Sequence, residues 1–128
     1  AASAPATLLH ADAWPVNVAL ESGLVVLLDW AVATAGPAAV DLAVFLTGAA
    51  DHVDATRDEV IDRFRRAAGP DLAPAPSVQL SLVFGLVDLG WNKALDAAEH
   101  DDPAQRRRAA ADLAWWCERA GPTLAAGW

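Results

Sequence analysis

The chain has 128 residues, a net charge of −8, 55% hydrophobic residues, six tryptophans, no methionine and one cysteine. A single Cys117 excludes an internal disulfide and a cysteine metal cluster, and the acidic balance argues against nucleic acid, whose phosphates reward a basic surface. No apolar run reaches the roughly 20 residues that a membrane span needs, so a single cytoplasmic domain covering residues 1–128 is the simplest expectation.

Ala1-Ala2-Ser3-Ala4-Pro5 has neither a basic start nor an apolar run, so it does not read as a secretory leader. Up to Leu9 the chain reads as a loose lead-in. Val18-Ala19-Leu20 and Leu24 to Leu28 are β-prone runs around Glu21-Ser22-Gly23, which predicts a hairpin. The second run is apolar on successive residues, so coverage on both faces is expected. Gly36-Pro37 breaks the chain, and a helix follows from Ala38 to about Thr47 with Pro37 at its start.

A clearer helix has Asp58 and Glu59 in its first turn, Arg63, Arg65 and Arg66 near its end, and Gly69-Pro70 as its stop. Val60, Ile61, Phe64 and Ala68 form its apolar stripe. Residues 70–76 read as a proline-rich connector, after which Ser77 caps a long helix to about His100. Val78, Leu80, Leu82, Val83, Phe84, Leu86, Val87 and Leu89 leave that helix little polar face, which predicts a central, buried position. The last helix starts on Asp102 and Pro103 and stops at Gly121-Pro122, with Leu113, Trp116, Cys117 and Ala120 as its buried stripe. Much of the apolar content is alanine, which adds little volume, so the tryptophans are expected to fill the core. The fold class is therefore mostly α (α+β), with one short β-hairpin leaning on about four helices and one hairpin face left available.

Chemistry concentrates in His10-Ala11-Asp12, Asn17 and Asp29. A carboxylate at Asp12 can accept a proton from a hydroxyl, although a loop aspartate near Pro15 is more often a turn cap. Asn17 offers a carbonyl oxygen of a kind common around Mg²⁺, or is simply a turn residue. Asp29 ends an apolar strand, and an ionised carboxylate at the mouth of a buried strand needs a cation or strong donors. After Leu8-Leu9, His10 reads as a buried, hydrogen-bonded side chain rather than a ligand, and Trp30 reads as core.

The stretch from Leu8 to Val18 resembles the catalytic loop of the aminoglycoside phosphotransferase and choline kinase family, His-Gly-Asp-x-x-x-x-Asn. Leu27-Leu28-Asp29-Trp30 is similar to the family's metal-binding segment, and Gly36 to Ala43 to the Gly-x-Pro-x-x-Asp-Leu-Ala that follows. The resemblance covers about residues 8–47; the later helices match only in kind, as a variable substrate-binding region. It implies a kinase-like C-terminal lobe of an ATP- and Mg²⁺-dependent phosphotransferase acting on a small-molecule hydroxyl acceptor. It also implies Asp12 as catalytic base, Asn17 and Asp29 as the Mg²⁺ ligands that serve the nucleotide, and His10 and Asp41 as supports of the loop. Ala11 and Val16 stand where glycines are frequent.

Kinase-like chemistry also needs a phosphate-pairing lysine and a covering loop. In that family both lie on an N-terminal lobe, and Lys93 is the only lysine here. That lobe is expected to be a missing partner, the nucleotide site to be incomplete without it, and the chain to be inactive or nearly so alone. The acceptor can be cationic if Asp51, Asp54, Asp88, Asp96 or Glu99 face it, though a solvated acidic surface is the favoured reading of these residues. Two other readings stay open. One is a non-catalytic helical binding module that uses its uncovered hairpin to form a homodimer. The other is a metal-dependent hydrolase with His10, Asp12 and Asp29 around one ion.

Overall fold

A computed structural model describes residues 4–48 and 52–126, apart from the Leu89 side chain. The expectations for Asp51, for the Leu89 side chain and for Trp128 lie outside these residues. The chain divides into two compact units, residues 1–78 and residues 79–128. Among the described residues helix predominates, as expected.

In the first unit the predicted hairpin is present, with β2 (Val18–Glu21) antiparallel to β3 (Leu24–Leu27). Ser22 (φ 51°) and Gly23 (φ 81°) both take positive φ, the requirement of the tight turn that matches strand twist. A second strand pair was not expected. The supposed lead-in is β1 (Ala6–Leu9), which pairs antiparallel with β4 (Thr34–Pro37), Ala6 opposite Pro37 and Leu9 opposite Thr34. This pair closes the loop that carries the hairpin, so residues 10 and 33 leave the same end of one ladder. Gly36 has a local reason: a Cβ there would fall 2.9 Å from Leu9 Cδ1.

The helix α1 (Ala39–Gly48) begins two residues after Pro37, which closes β4 instead of opening the helix. Leu42, Ala43, Val44 and Leu46 are buried along it. α2 (Arg57–Leu72) kinks at Gly69-Pro70, where a stop was expected, with Gly69 at φ 74°, ψ 170°. The connector shrinks accordingly, because Pro70–Leu72 form a further helical turn. Val60, Ile61, Phe64 and Ala68 are half-buried, as the stripe predicted. Arg57 Nε donates to the Leu46 carbonyl at 3.3 Å and ties α2 to α1.

A signal at the start of α2 escaped the sequence reading. Thr56 Oγ1 accepts from Glu59 N–H at 3.2 Å, and Glu59 Oε2 accepts from Thr56 N–H at 2.8 Å, a reciprocal capping box. Hydrogen bonds from Thr56, with the Arg63 charge, hold the Glu59 carboxyl below its ordinary value. A carboxyl depressed on folding adds stability above its unfolded pKa and loses it as pH falls through the folded one. Acidification should therefore fray the start of α2 first. Thr56→Ala should speed amide exchange at Glu59 and Val60 roughly fivefold at neutral pH, and should keep the larger part of this acid dependence, because the backbone N–H at position 56 still donates to Glu59.

α3 (Ala75–Glu99) begins before Ser77, which lies inside the helix. It is not the buried central helix expected. Val78, Leu82 and Val83 are buried, but Leu80, Phe84, Val87, Trp91 and Leu95 are exposed. Their spacing places those five side chains on one helical face. α4 (Pro103–Ala126) is capped by Asp102, whose Oδ1 accepts from Ala104 N–H at 2.8 Å. It runs through Gly121-Pro122 instead of stopping there. Trp116 and Ala120 are buried, Leu113 is half-buried, and Cys117 is exposed, against expectation. Of the described tryptophans only Trp116 is fully buried, so small side chains and leucines form most of the core.

Candidate active site

Leu9, the last residue of β1, is buried, and the chain then turns through His10, Ala11 and Asp12. Ala11 lies at φ 62°, a left-handed conformation that an L-residue other than Asn, Asp or His rarely takes. The conformation is pinned by Asp41 in the first turn of α1. Its Oδ2 accepts from His10 N–H at 2.8 Å and its Oδ1 from Ala11 N–H at 2.7 Å. Both oxygens are thus spent on consecutive backbone donors, a strong charge-assisted arrangement.

His10 is 2% exposed. Nε2–H donates to the Leu28 carbonyl at 2.7 Å, and Nδ1 accepts from Asp12 N–H at 3.3 Å. The two partners assign the proton to Nε2. Trp30 meets the imidazole edge-on at 4.7 Å between ring centres but is 45% exposed, so it edges the site and is not core.

Asp12 is half-buried. Its carbonyl accepts from Trp14 N–H at 2.8 Å and from Asn17 Nδ2 at 3.0 Å, while its Oδ2 accepts from Asn17 Nδ2 at 2.8 Å. Pro15–Asn17 form one 3-10 turn, pre-set by proline at its first position. Trp14 lies over the end of α1, where a Cβ on Gly48 would fall 2.5 Å from its ring. Asn17 is 9% exposed, and with its nitrogen committed to Asp12 only Oδ1 can be offered to a cation.

Asp29 departs from its expected setting. Leu24, Val25 and Leu27 are exposed, and so is Asp29 itself, so the argument from a buried strand mouth does not apply. What singles Asp29 out is its backbone, at φ 57°, with Oδ1 accepting only weakly from Ala31 N–H at 3.4 Å. Aspartate takes this left-handed backbone more readily than most L-residues. Its neighbour Leu28 donates N–H to the Asn17 carbonyl at 2.8 Å and accepts from His10, so Asp29 is tethered beside both.

The structure therefore brings Asp12 and Asn17 into direct contact, places His10 and Asp41 behind them, and sets Asp29 one residue from that network. Among the described residues no three His, Cys, Asp or Glu side chains are grouped to hold a metal ion. His10 has both ring nitrogens engaged, so the hydrolase arrangement around one ion loses its histidine. The oxygens of Asn17 and Asp29 do suit Mg²⁺, which prefers few protein ligands and keeps water or phosphate for the rest. Asp54, Asp88, Asp96 and Glu99 are all exposed. No described helix is long and apolar enough to cross a membrane.

Ala11→Gly should relax the turn without touching a functional group. Relief of the left-handed strain, less the entropy of glycine in the unfolded chain, leaves a gain of about 0.5–1 kcal/mol. A shift of the urea midpoint to higher concentration checks it.

A family model described as the phosphotransferase enzyme family matches residues 1–77, which contain every residue of this site. Comparison with curated proteins gives no match, and neither does comparison with solved structures.

Proposed function

We propose, because the chain belongs to the phosphotransferase enzyme family, that it is the catalytic and acceptor-binding C-terminal lobe of an ATP- and Mg²⁺-dependent small-molecule kinase. The observation that carries this reading is Asn17, whose side-chain Nδ2 fixes the Asp12 carboxylate while its backbone carbonyl accepts from Leu28 N–H, the residue before Asp29. Among the described residues Asn17 takes Asp12 Oδ2, leaving Oδ1 to receive a proton. The acceptor oxygen attacks the γ-phosphorus as its proton passes to Asp12. The bond from that phosphorus to the β–γ bridging oxygen breaks, and ADP departs. A Mg²⁺ ion held by Asn17 and Asp29 would neutralise charge on the phosphates. His10 and Asp41 act as positioning residues.

The lone lysine supports a division of labour with a separate nucleotide lobe. Lys93 Nζ lies 3.2 Å from Asp112 Oδ2 in the second unit, where it compensates a carboxylate that is 8% exposed. Its position beside that buried carboxylate gives it a structural task. The 128-residue chain alone is therefore expected to transfer phosphate slowly or not at all.

Manganese titration followed by NMR tests the reading. Amide signals of Asn17 and Asp29 should broaden first, and Asp29→Asn should weaken the effect at least tenfold. Asparagine tolerates the left-handed backbone, so the variant keeps the fold. Broadening centred elsewhere, or unchanged in Asp29→Asn, would overturn it.

A second reading, a non-catalytic module that dimerises, is favoured by the exposed stripe of Leu80, Phe84, Val87, Trp91 and Leu95. Sedimentation showing a dimer, together with no metal response at Asp29, would select it.

A further inference from the structure

The first unit contains a cavity of about 530 Å³ bordered by the catalytic turn, α1, α2 and the segment before α2. That volume lies in the range of small-molecule sites. Its walls include Leu42, Phe45, Val53, Val60, Phe64 and Ala67. Ala13, the residue after Asp12, also lines it, as does Asp41. Asp41 has both oxygens committed to backbone N–H groups, so it has little left for a cation.

Two other charged side chains line the cavity, Asp54 and Arg63, of opposite sign and both exposed. Their charges offset, and the remaining surface is aliphatic or aromatic. A polycation needs several uncompensated carboxylates, and this lining offers Asp54 alone, with Arg63 beside it in the same walls. A neutral apolar body suits these walls through burial of its own surface.

We propose that this cavity is the acceptor pocket and that the acceptor is a neutral alcohol, its apolar ring-sized body held between α1 and α2 and its hydroxyl directed past Ala13 to Asp12. This rests on the phosphotransferase reading for the role of Asp12, but occupancy of the cavity does not.

The test is a titration of the 128-residue chain with 2-phenylethanol and, separately, with the polycation kanamycin, followed by amide NMR without metal or nucleotide. 2-Phenylethanol should shift the Ala13, Leu42 and Phe64 signals. Ala67→Trp, which fills the cavity from an exposed helical position, should weaken this at least tenfold. Val53→Asp, on an exposed loop, should do the same should the first variant misfold, and Asp96→Asn, exposed and outside the cavity, should leave it unchanged. Kanamycin shifting those amides, with the effect lost in Asp54→Asn, would overturn the proposal. So would no response to either compound by a folded chain, or concentration-dependent shifts at these amides in a sedimenting dimer, which would show a second copy filling the space. A failed manganese test with intact 2-phenylethanol binding would sink the kinase reading alone. The converse result would sink only the acceptor assignment.

Discussion

Asp41→Ala should destabilise the first unit by about 3 kcal/mol and loosen the turn that carries Asp12. Each hydrogen bond to a charged partner contributes about 1.5–3 kcal/mol when its loss strands a donor. Asp41 makes two, to the N–H groups of His10 and Ala11. Its position in the first turn of α1 adds a smaller dipole contribution of about 0.5 kcal/mol. Partial exposure works the other way, because water can reach the freed donors, and the total stays near the lower end. Urea unfolding read at first-unit amides gives the number. Amide exchange at Ala11 gives the location, since that N–H should lose its protection before the core does. Asp41→Asn keeps one acceptor oxygen and should cost about half as much. The substitution also interacts with Ala11→Gly: once the pins are gone the turn no longer needs φ 62°, so glycine should lose most of its advantage in the Asp41→Ala background. A cost below about 1 kcal/mol, or full additivity of the two changes, would mean that Asp41 does not hold the turn.

This anchoring was readable because its parts are chemically marked. A His, an Asp and an Asn at fixed spacing, with a further Asp before a helix, stand out in any sequence. Helix starts were similarly visible at Asp102-Pro103, and the hairpin at Ser22-Gly23. Pairing of Ala6–Leu9 with Thr34–Pro37 was not, because neither run alternates, and the second ends in Gly-Pro, which locally reads as a break. Only the closure of the intervening loop makes strands of them. Burial was misjudged at β3 and α3 for one reason. An apolar run predicts cover, but only the placement of other elements decides whether cover exists, and Leu24, Val25, Phe84 and Trp91 remain exposed. The cavity beside Asp12 escaped notice because Phe45, Val53 and Phe64 carry no chemical signature. Phe64 belongs to the helix stripe, yet nothing in its spacing says that the stripe also walls a pocket.

His10→Ala should have the largest effect on the site, about 4 kcal/mol, because one side chain joins two segments that share no ladder. The imidazole is 2% exposed, so its removal leaves a cavity as well as broken bonds. The Leu28 carbonyl loses its donor at 2.7 Å, Asp12 N–H loses its acceptor at 3.3 Å, and Trp30 loses the edge against which it packs. Asp12 remains tied to Asn17, but Leu28 keeps only its own N–H bond to the Asn17 carbonyl. Asp29 should then wander, since its left-handed backbone is held mainly through that neighbour. The consequence separates His10 from a merely buried residue. Manganese affinity at Asn17 and Asp29 should fall at least tenfold in His10→Ala even at temperatures where the chain stays folded, while 2-phenylethanol binding, which relies on α1 and α2, should change little. His10→Gln retains a donor for Leu28 but offers no ring against Trp30, and should recover part of the metal affinity with little of the stability. If His10→Ala lowers both binding events equally, the imidazole acts through global stability. If it lowers neither, Asp29 is held by something other than the Leu28 bridge.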